Sequence, residues 1–581
     1  MGVGQFFADN FVPRVPPKPV SHVHEHHQPG EKNADESISI SLESTADGSN
    51  RLHRKLRGRH VQLLGIGATI GSALFVSIGL GLANGGPLSL LLAFIIWSFP
   101  ILFITISVAE MVTYLPITSP FVRMAGRCCD LALEVATAWN FWFLCSAQIP
   151  FEVITVNSII HFWRDDYSAA IPLAVQVVIY FVIAVFGVGL YGEVEFWLSL
   201  GKVVMAVGLL FFTFITMVGG NPQHHAFGFT YWKNPGAMNV LYHTGALGRF
   251  QGFLACLIRA TFMFLGPEYV SLVASETINP RKTLPSAYKQ VFIRLTVFFI
   301  GGALCVGILV PYNNPTLQAT LGVTKPGAAG SPYVIAMQNL GIKVLPDIMN
   351  ILLITSAFSA GNSYTYCSSR TLYGFALDGY APRFLTATTK TGVPIYCVMF
   401  ALAWALISFL QLNKGSATVL NWIINLITSC QLINFLIMSF TYVFFFRAMK
   451  AQGIDRKTLP FVGWCQPWLA IIGGTLTFVM LFVGTYTIFL PGKPFDYQSF
   501  LFSYLMIFID IAIFVIYKLV ARTKWVKPEN ADLVTGLKEV EEHEELFYEK
   551  MREEGKMDAN GKIHRTWLQK VCTVLFGSEM K

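Results

Sequence analysis

The chain has 581 residues, of which 54% are hydrophobic and only 13% are charged. An ordinary soluble domain carries about 25% charged residues, and about 20 consecutive apolar residues suffice for a helix to cross a bilayer. Apolar runs of that length recur through the middle of this sequence, which excludes a soluble protein. The net charge of +8 comes without a basic stripe interleaved with aromatic residues. We therefore expect a lipid bilayer as a partner and no nucleic acid.

Residues 1–60 are rich in proline, histidine, serine and acidic residues, a composition typical of disordered segments. We interpret them as a disordered tail. The sequence HVHEHH at 22–27 could bind a metal ion, but a flexible polar tail without a metal role is the interpretation we favour. We predict no metal site.

The hydrophobic pattern predicts a twelve-helix membrane domain over residues 61–521, followed by a C-terminal tail at 522–581. The charged tail includes EVEEHEELFYEKMREEGK, which reads as a soluble acidic helix. The predicted spans lie near 61–83, 87–114, 131–162, 169–190, 195–218, 248–272, 287–311, 343–375, 393–412, 417–446, 466–490 and 499–521.

The distribution of basic residues predicts the orientation of these spans. With a cytosolic N-terminus, the interior connections carry most of the loop arginines and lysines, whereas the exterior connections hold only scattered ones. The interior residues are Arg123, Arg127, Arg281, Lys282, Lys289, Arg383, Lys390, Arg447, Lys450, Arg456 and Lys457. This asymmetry places both termini in the cytosol. Glu110, near the cytosolic end of the second span, is expected to pair with an arginine or with backbone groups there.

Two predicted spans are interrupted. The first contains GIGATIGSALFV at 65–76, although each glycine costs about 1 kcal/mol relative to alanine in a helix interior. Close packing of a G-x-x-x-G motif is one explanation. The sixth contains ATFMFLGPEYVSLVASE at 260–276, where a proline breaks the helix and an adjacent carboxylate must be paired or functional.

Interrupted spans at matching positions in two halves indicate an inverted-repeat secondary transporter. A broken helix exposes unpaired N–H groups at one end and unpaired C=O groups at the other. The N–H end attracts a carboxylate, and the C=O end accepts hydrogen bonds from an ammonium group. An α-amino acid zwitterion carries both groups, so this pattern points to an amino acid substrate.

At these residues the chain resembles the fungal (yeast-type) amino acid permeases of the amino acid–polyamine–organocation superfamily. The likeness covers nearly all of residues 55–521, and several extended motifs carry it in order. They include GIGATIGSALFVSIGLGLANGGP, EFWLSLGKVVMAVG, GPEYVSLVASETINPRKTLPSA and SAFSAGNSYTYCSSRTLYGFALDGYAPRF. The resemblance implies proton-coupled amino acid import across the plasma membrane, with the proton as coupling ion and no other cofactor.

The resemblance also implies an all-α membrane fold with a five-plus-five inverted repeat (LeuT-type) and two further helices. The first repeat is then 61–218, the second 248–446, and the last two helices 466–521. Carried over by position, N–H groups of Gly71, Ser72 and Ala73 bind the substrate carboxylate. Carbonyls of Thr69, Phe262 and Leu265 receive the ammonium group, and Phe262 is an aromatic gate over the substrate.

Two charged residues are candidates for proton coupling: Lys202 in the fifth span and Glu268 in the sixth. Burial in an apolar span disfavours the charged form of a lysine, so Lys202 can gain and lose a proton, and the resemblance suggests that it replaces a bound sodium ion. Lys202 could instead be a snorkelling residue near an interface. Glu268 could instead be a structural carboxylate that ties the first and sixth helices together.

Three further residues are candidates for contact with the substrate. Glu152 in the third span contacts the substrate side chain or supports its own helix. Arg259, one turn before Phe262, favours a second substrate carboxylate or pairs with Glu152 and leaves a neutral pocket. Ser359 shares one face of the eighth span with Ser356 and Asn362, although serines often bond their own helix backbone.

A nutrient sensor that keeps this fold but moves little solute is the alternative function. We find no H-E-x-x-H, G-x-S-x-G or phosphate-loop motif, so we expect no enzyme and no catalytic residues. The cytosolic tails are available to trafficking and ubiquitination machinery. Proline, neutral and acidic amino acids all remain compatible with the predicted pocket.

Overall fold

The structure is a computed structural model, and it describes residues 71–164, 166–185, 188–272, 274, 277, 279–321, 331–389, 392–414, 416–490 and 495–553. The predicted N-terminal tail, Thr69 and residues 554–581 lie outside the described residues. Within these ranges the protein is an all-α membrane protein built from long helices. This confirms the predicted fold class.

The long helices coincide with the predicted spans. The second to fifth spans correspond to α1 (Ile78–Tyr114), α3 (Leu131–Ile160), α4 (Ala170–Val185) and α5 (Val188–Met217), with the short α2 (Pro120–Cys128) before α3. The sixth to eighth correspond to α7 (Gly245–Met263) with α8 (Pro267–Leu272), α9 (Pro280–Leu309) and α12 (Leu345–Leu377). The ninth to twelfth correspond to α13 (Ile395–Ala405), α15 (Ser416–Ala451), α16 (Trp468–Val483) and α17 (Tyr497–Ala521).

Shorter helices fill the connections between these long ones. They are α6 (Thr230–Lys233), α10 (Pro315–Leu321), α11 (Pro332–Asn339) and α14 (Gln411–Lys414). The last described helix, α18 (Leu537–Glu553), falls on the acidic segment that the sequence predicts to be helical.

Helix α1 is two helical segments joined at Gly86, where the backbone has φ +80° and ψ 173°. A side chain there would meet backbone atoms of Asn239 and Ala237 at 2.9 and 3.0 Å, so only glycine fits the reversal. Pro87 then begins the next segment, as is usual for proline in a first helical turn. The reversal lies between the predicted first span, which ends near 83, and the predicted second span, which begins near 87.

The helices pack into two groups that two further helices connect. Helix α1 packs on both α7 and α9, and helices α3, α12 and α13 form a second group. Helix α15 contacts α1, α3, α16 and α17, and helix α5 contacts α9 and α12. The two groups therefore meet along α5 and α15.

Six of the described helices or helix pairs are long and apolar enough to cross a membrane. Lipid-facing surface is evident on α17, where Ile516, Leu519 and Val520 are exposed, as expected for a helix in contact with acyl chains. The count of twelve spans and the boundaries of the two repeats stay predictions.

The side predicted to be cytosolic is tied together by polar contacts. Arg456 donates two hydrogen bonds of 2.8 Å to the buried carboxylate of Glu110, which also accepts one from the Gly463 N–H. This confirms the expected pairing of Glu110. The segment before α18 packs on the same side, where the Val526 N–H donates to the Cys129 carbonyl at 2.7 Å.

Candidate functional site

The sixth span is broken. Helix α7 ends at Met263, residues 264–266 are not helical, and α8 starts at Pro267. Pro267 cannot donate the hydrogen bond that a continuous helix needs, but it suits the first turn of a new helix. One carbonyl freed by the break, that of Phe264, accepts a hydrogen bond of 2.9 Å from the Gln431 side chain of α15. Phe262 lies in the last turn before the break, and Leu265 lies within it.

The described part of the first span begins beside a second irregular segment. Gly71 lies in a bend, and the residues after Ser72 form a π-helical turn over Ala73–Ser77 before α1 starts. Wide turns of this kind are frequent at functional sites. Ser72 is fully buried. Gly71, Ser72 and Ala73, the residues predicted to bind the substrate carboxylate, therefore lie at the irregular start of the described part of the first span.

Helix α3 brings the two interrupted spans together through consecutive residues. The Ser72 hydroxyl donates a hydrogen bond of 2.7 Å to Glu152 Oε2. A side chain at Gly71 would stand 2.5 Å from Glu152 Oε1, so glycine leaves just enough room for the carboxylate. The neighbouring Phe151 ring packs edge-on against the Phe262 ring, with centroids 5.2 Å apart. The predicted substrate residues of both spans thus converge on one turn of α3.

A buried charged cluster lies behind this point. Lys202 of α5 is almost fully buried, and its Nζ is 4.0 Å from Glu195 Oε1, which is equally buried. Glu152 also interacts electrostatically with Lys202. A fully buried lysine between two carboxylates is not a snorkelling residue, because its ammonium group does not reach an aqueous surface.

Ser359 contacts this cluster. Its hydroxyl lies 3.0 and 2.9 Å from the two carboxylate oxygens of Glu195. The sequence analysis missed Glu195, which stands at the edge of the apolar run. The spacing of positions 195, 199 and 202 could have predicted it. In a helix these positions share one face, which brings the acid Glu195 and the base Lys202 close together.

Glu268 lies at the break and bonds to α15. Its Oε1 accepts from the Gly266 N–H at 3.3 Å and from Gln431 Nε2 at 3.4 Å. Among the described residues, these hydrogen bonds link the break to α15, and none links Glu268 to the first span. Glu268 Oε2 has no hydrogen-bond partner in the described part of the chain, which leaves one oxygen available for a proton or a substrate group.

Arg259 does not pair with Glu152 within the described residues. Its guanidinium lies 3.4 Å from Asn421 Oδ1 of α15, whereas the Glu152 carboxylate is bonded to Ser72. The side-chain stem of Arg259 lies close to Gly81 of α1. Among the described residues, Arg259 therefore does not form the pair with Glu152 that the neutral-pocket alternative requires.

Comparison with known proteins identifies the family. The amino acid permease family model matches residues 60–529. The chain belongs to the amino acid permease family. This permease is 52% identical over 541 residues to the general amino acid permease AGP2 of Saccharomyces cerevisiae, covering 91% of this chain and 89% of that protein. The family is one of transporters, in agreement with the absence of enzyme motifs.

Other relatives have different printed specificities. The permease is 32% identical to a dicarboxylic amino acid permease of Saccharomyces cerevisiae, with coverage of 93% of this chain and 89% of that protein. It is 34% identical to a proline-specific permease of Emericella nidulans, with coverage of 86% and 91%. A solved manganese transporter of Eremococcus coleocola shares 13% identity with a TM-score of 0.49, covering 80% of this chain and 94% of that one.

Proposed function

We propose that this permease is a proton symporter that imports amino acids, with the substrate zwitterion held between the interrupted segments of the first and sixth spans. Gly71, Ser72 and Ala73 bind the carboxylate, and carbonyls of Thr69, Phe262 and Leu265 receive the ammonium group. The observation that carries this proposal is the break at residues 264–266 in a chain whose family transports amino acids.

The contacts of α3 support the same assignment. A carboxylate, that of Glu152, already bonds the Ser72 hydroxyl beside Gly71, so this segment is chemically suited to a carboxylate group. The Phe262 ring is fixed against Phe151, in position to cover a substrate bound at the break. Pairs of backbone groups freed by helix breaks are suited to the two opposite charges of an amino acid.

In this proposal, buried acidic and basic side chains beside the site bind and release the coupling proton. Lys202 and Glu268 are the candidates. Lys202 is enclosed with Glu195 and close to Glu152, and Glu268 retains an oxygen without a partner among the described residues. Ionisable groups inside a membrane domain mark proton pathways in transporters, which supports a proton-driven over a passive mechanism.

Import across the plasma membrane is proposed from the resemblance to the fungal amino acid permeases, and the cytosolic position of both termini is proposed from the predicted topology. Arg127, Arg281 and Arg456 share one end of the molecule with the tail before and within α18, as the positive-inside rule requires of a cytosolic face. Tails on that side are open to trafficking and ubiquitination machinery.

Reconstitution into proteoliposomes tests the function. Vesicles loaded at alkaline pH and diluted into acidic buffer with a radiolabelled mixture of the common L-amino acids should accumulate label, and a protonophore should abolish the accumulation. Equal uptake with and without the pH gradient would contradict proton symport. Binding of an amino acid without uptake under any gradient would favour the sensor alternative. A competition panel against the best substrate then defines selectivity.

A further inference from the structure

Glu195 is a buried acid that is not among the predicted substrate-binding residues. Its carboxylate and the Lys202 amine lie two turns apart on one face of α5, with Ser199 between them. Both side chains are at most 3% exposed, and the Lys202 Nζ to Glu195 Oε1 distance is 4.0 Å. When both groups are charged they attract each other at that separation, and burial strengthens this attraction while it disfavours each isolated charge.

Hydroxyl groups from two helices fix the Glu195 carboxylate. Ser199, one turn along α5, donates to Oε1 at 3.0 Å. Ser359 of α12 contacts both oxygens, at 3.0 and 2.9 Å, and Ser363 of α12 also hydrogen-bonds to the carboxylate. An ionised carboxylate only accepts hydrogen bonds, so a ring of hydroxyl donors stabilises the anionic form.

We propose that Glu195 is the positioning residue for the coupling proton: held by Ser359, its carboxylate stabilises the ammonium form of Lys202. The proposal rests on the proposed function, since it takes Lys202 as the group that carries the proton. Because Ser359 belongs to α12 and Lys202 to α5, the proton affinity of the amine depends on the contact between these two helices.

The other titratable groups that face the pair agree with this role. Glu152 of α3 adds a second negative charge near Lys202. Tyr180 of α4 interacts electrostatically with both carboxylates and Tyr364 of α12 with Glu152, and phenols are neutral at ordinary pH. Two acids therefore share one base. A substrate that draws Glu152 away from Ser72 changes the charge near Lys202, while Glu195 remains as its fixed partner.

The α5–α12 contact gives the pair a route to proton release. Transporters with interrupted spans work by rocking one rigid group of helices against another. If α12 moves relative to α5, Glu195 loses hydroxyl donors that hold its charge in place, and the ammonium form of Lys202 loses stabilisation. Proton release is then linked to the conformational step and not only to substrate binding.

The test compares the pH dependence of uptake in proteoliposomes for the wild type, Glu195→Gln, Glu195→Asp and Ser359→Ala, using the amino acid that the wild type transports best. Removing an opposite charge at this distance should shift the midpoint of the pH profile to lower pH by about one unit or more. Glu195→Asp keeps the charge and should restore most of the midpoint. Ser359→Ala should shift it in the same direction by less.

Thr365→Val is the matched control on α12, because the Thr365 hydroxyl bonds its own helix at the Gly361 carbonyl; its midpoint should equal that of the wild type. A wild-type midpoint in Glu195→Gln overturns the inference. Where that variant fails to fold, a wild-type midpoint in Ser359→Ala overturns it instead. Wild-type uptake that ignores the pH gradient refutes the proposed function itself, whereas gradient-driven uptake with unshifted variants refutes only the role of Glu195.

Discussion

Two buried carboxylates of this permease have their charges balanced in different ways. Glu110, at the end predicted to be cytosolic, accepts both hydrogen bonds of a forked arginine, each 2.8 Å long, and a third from the Gly463 N–H. Glu195, inside the helix bundle, has its shortest contacts with serine hydroxyls, and its Oε1 lies 4.0 Å from the Lys202 Nζ.

The difference separates a structural contact from one suited to a change of protonation. A bidentate arginine pair is strong, has one geometry and involves a base that never loses its proton. A lysine can lose its proton when its surroundings change. The Glu110–Arg456 pair therefore has the geometry of a structural contact, whereas the Glu195–Lys202 pair contains a base whose protonation can change.

The largest effect, on stability, is expected from breaking the ion pair between Glu110 and Arg456. Arg456→Met leaves the buried Glu110 carboxylate without its cation and should cost about 3–5 kcal/mol of stability. The measurement is the melting temperature of the purified permease in detergent. Arg164→Met, which removes an exposed pair with Asp166, is the control and should melt like the wild type. Equal melting of both variants would show that Glu110 does not need Arg456.

The next effect tests the site beside the first span. In Gly71→Ala the new methyl would stand 2.5 Å from Glu152 Oε1, which forces the carboxylate away from Ser72. Because a hydrogen bond to a charged group is lost, the uptake rate of Gly71→Ala should fall by about tenfold or more. Its melting temperature should change little. Gly208→Ala on α5 is the control, since no atom lies within 4 Å of its added methyl. Undiminished uptake in Gly71→Ala would show that this segment is not part of the site.

A smaller effect concerns selectivity. Arg259 has a hydrogen bond of 3.4 Å to Asn421 and keeps a positive charge one turn from Phe262. Arg259→Gln should reduce inhibition by acidic amino acids and increase inhibition by basic ones in the competition panel, by several-fold in each direction. Asn421→Ala removes the partner but keeps the charge, so its selectivity should stay close to that of the wild type. An unchanged panel in Arg259→Gln would assign the arginine to structure alone.

The smallest effect concerns the docked C-terminal segment. Partial burial raises the pKa of Asp532, but hydrogen bonds from the Thr535 and Val534 N–H groups and the charge of Arg127 outweigh it, so the net pKa lies below 3.8. A lowered pKa in the folded state stabilises docking above the ordinary value and loses that contribution as the pH falls through the folded value. Asp532→Asn should speed proteolysis of the tail by up to about fivefold at neutral pH.

Lowering the pH is a second test of the contact made by Asp532, because it protonates the same carboxylate in the wild type. Wild-type tail cleavage should rise towards the Asp532→Asn rate only below about pH 4. Lys538→Gln, which alters an exposed pair within α18, should leave the cleavage rate unchanged. A tail that is cut equally fast in the wild type and in Asp532→Asn at neutral pH would contradict this docking contact.

Much of the fold could be predicted because a bilayer imposes a simple rule. Apolar runs of sufficient length must be helical, so the predicted spans fall on the observed helices to within a few residues at most boundaries. One local breaker was equally readable, because Pro267 begins a new helix. Gly86, where the backbone has a positive φ, was not singled out from the sequence. These features depend on the backbone chemistry of single residues and their neighbours.

Side-chain partners were harder to predict. One alternative for Glu268 was a tie between the first and sixth spans; among the described residues it bonds Gln431 of α15. Arg259 faces Asn421 and not Glu152, and Ser359 holds Glu195. Each of these partners lies far away in the sequence, and no local pattern states which helix face will oppose which.

The sequence by itself determined that this chain is an all-α membrane protein, that the sixth span is broken at Pro267, and which residues bear charge inside the spans, because apolar length and proline act locally. Only the tertiary structure decided that Ser72 meets Glu152, that Phe151 meets Phe262, and that Glu195 stands between Lys202 and Ser359. Those contacts arise from the way several helices pack on one another, and that packing depends on all their faces at once.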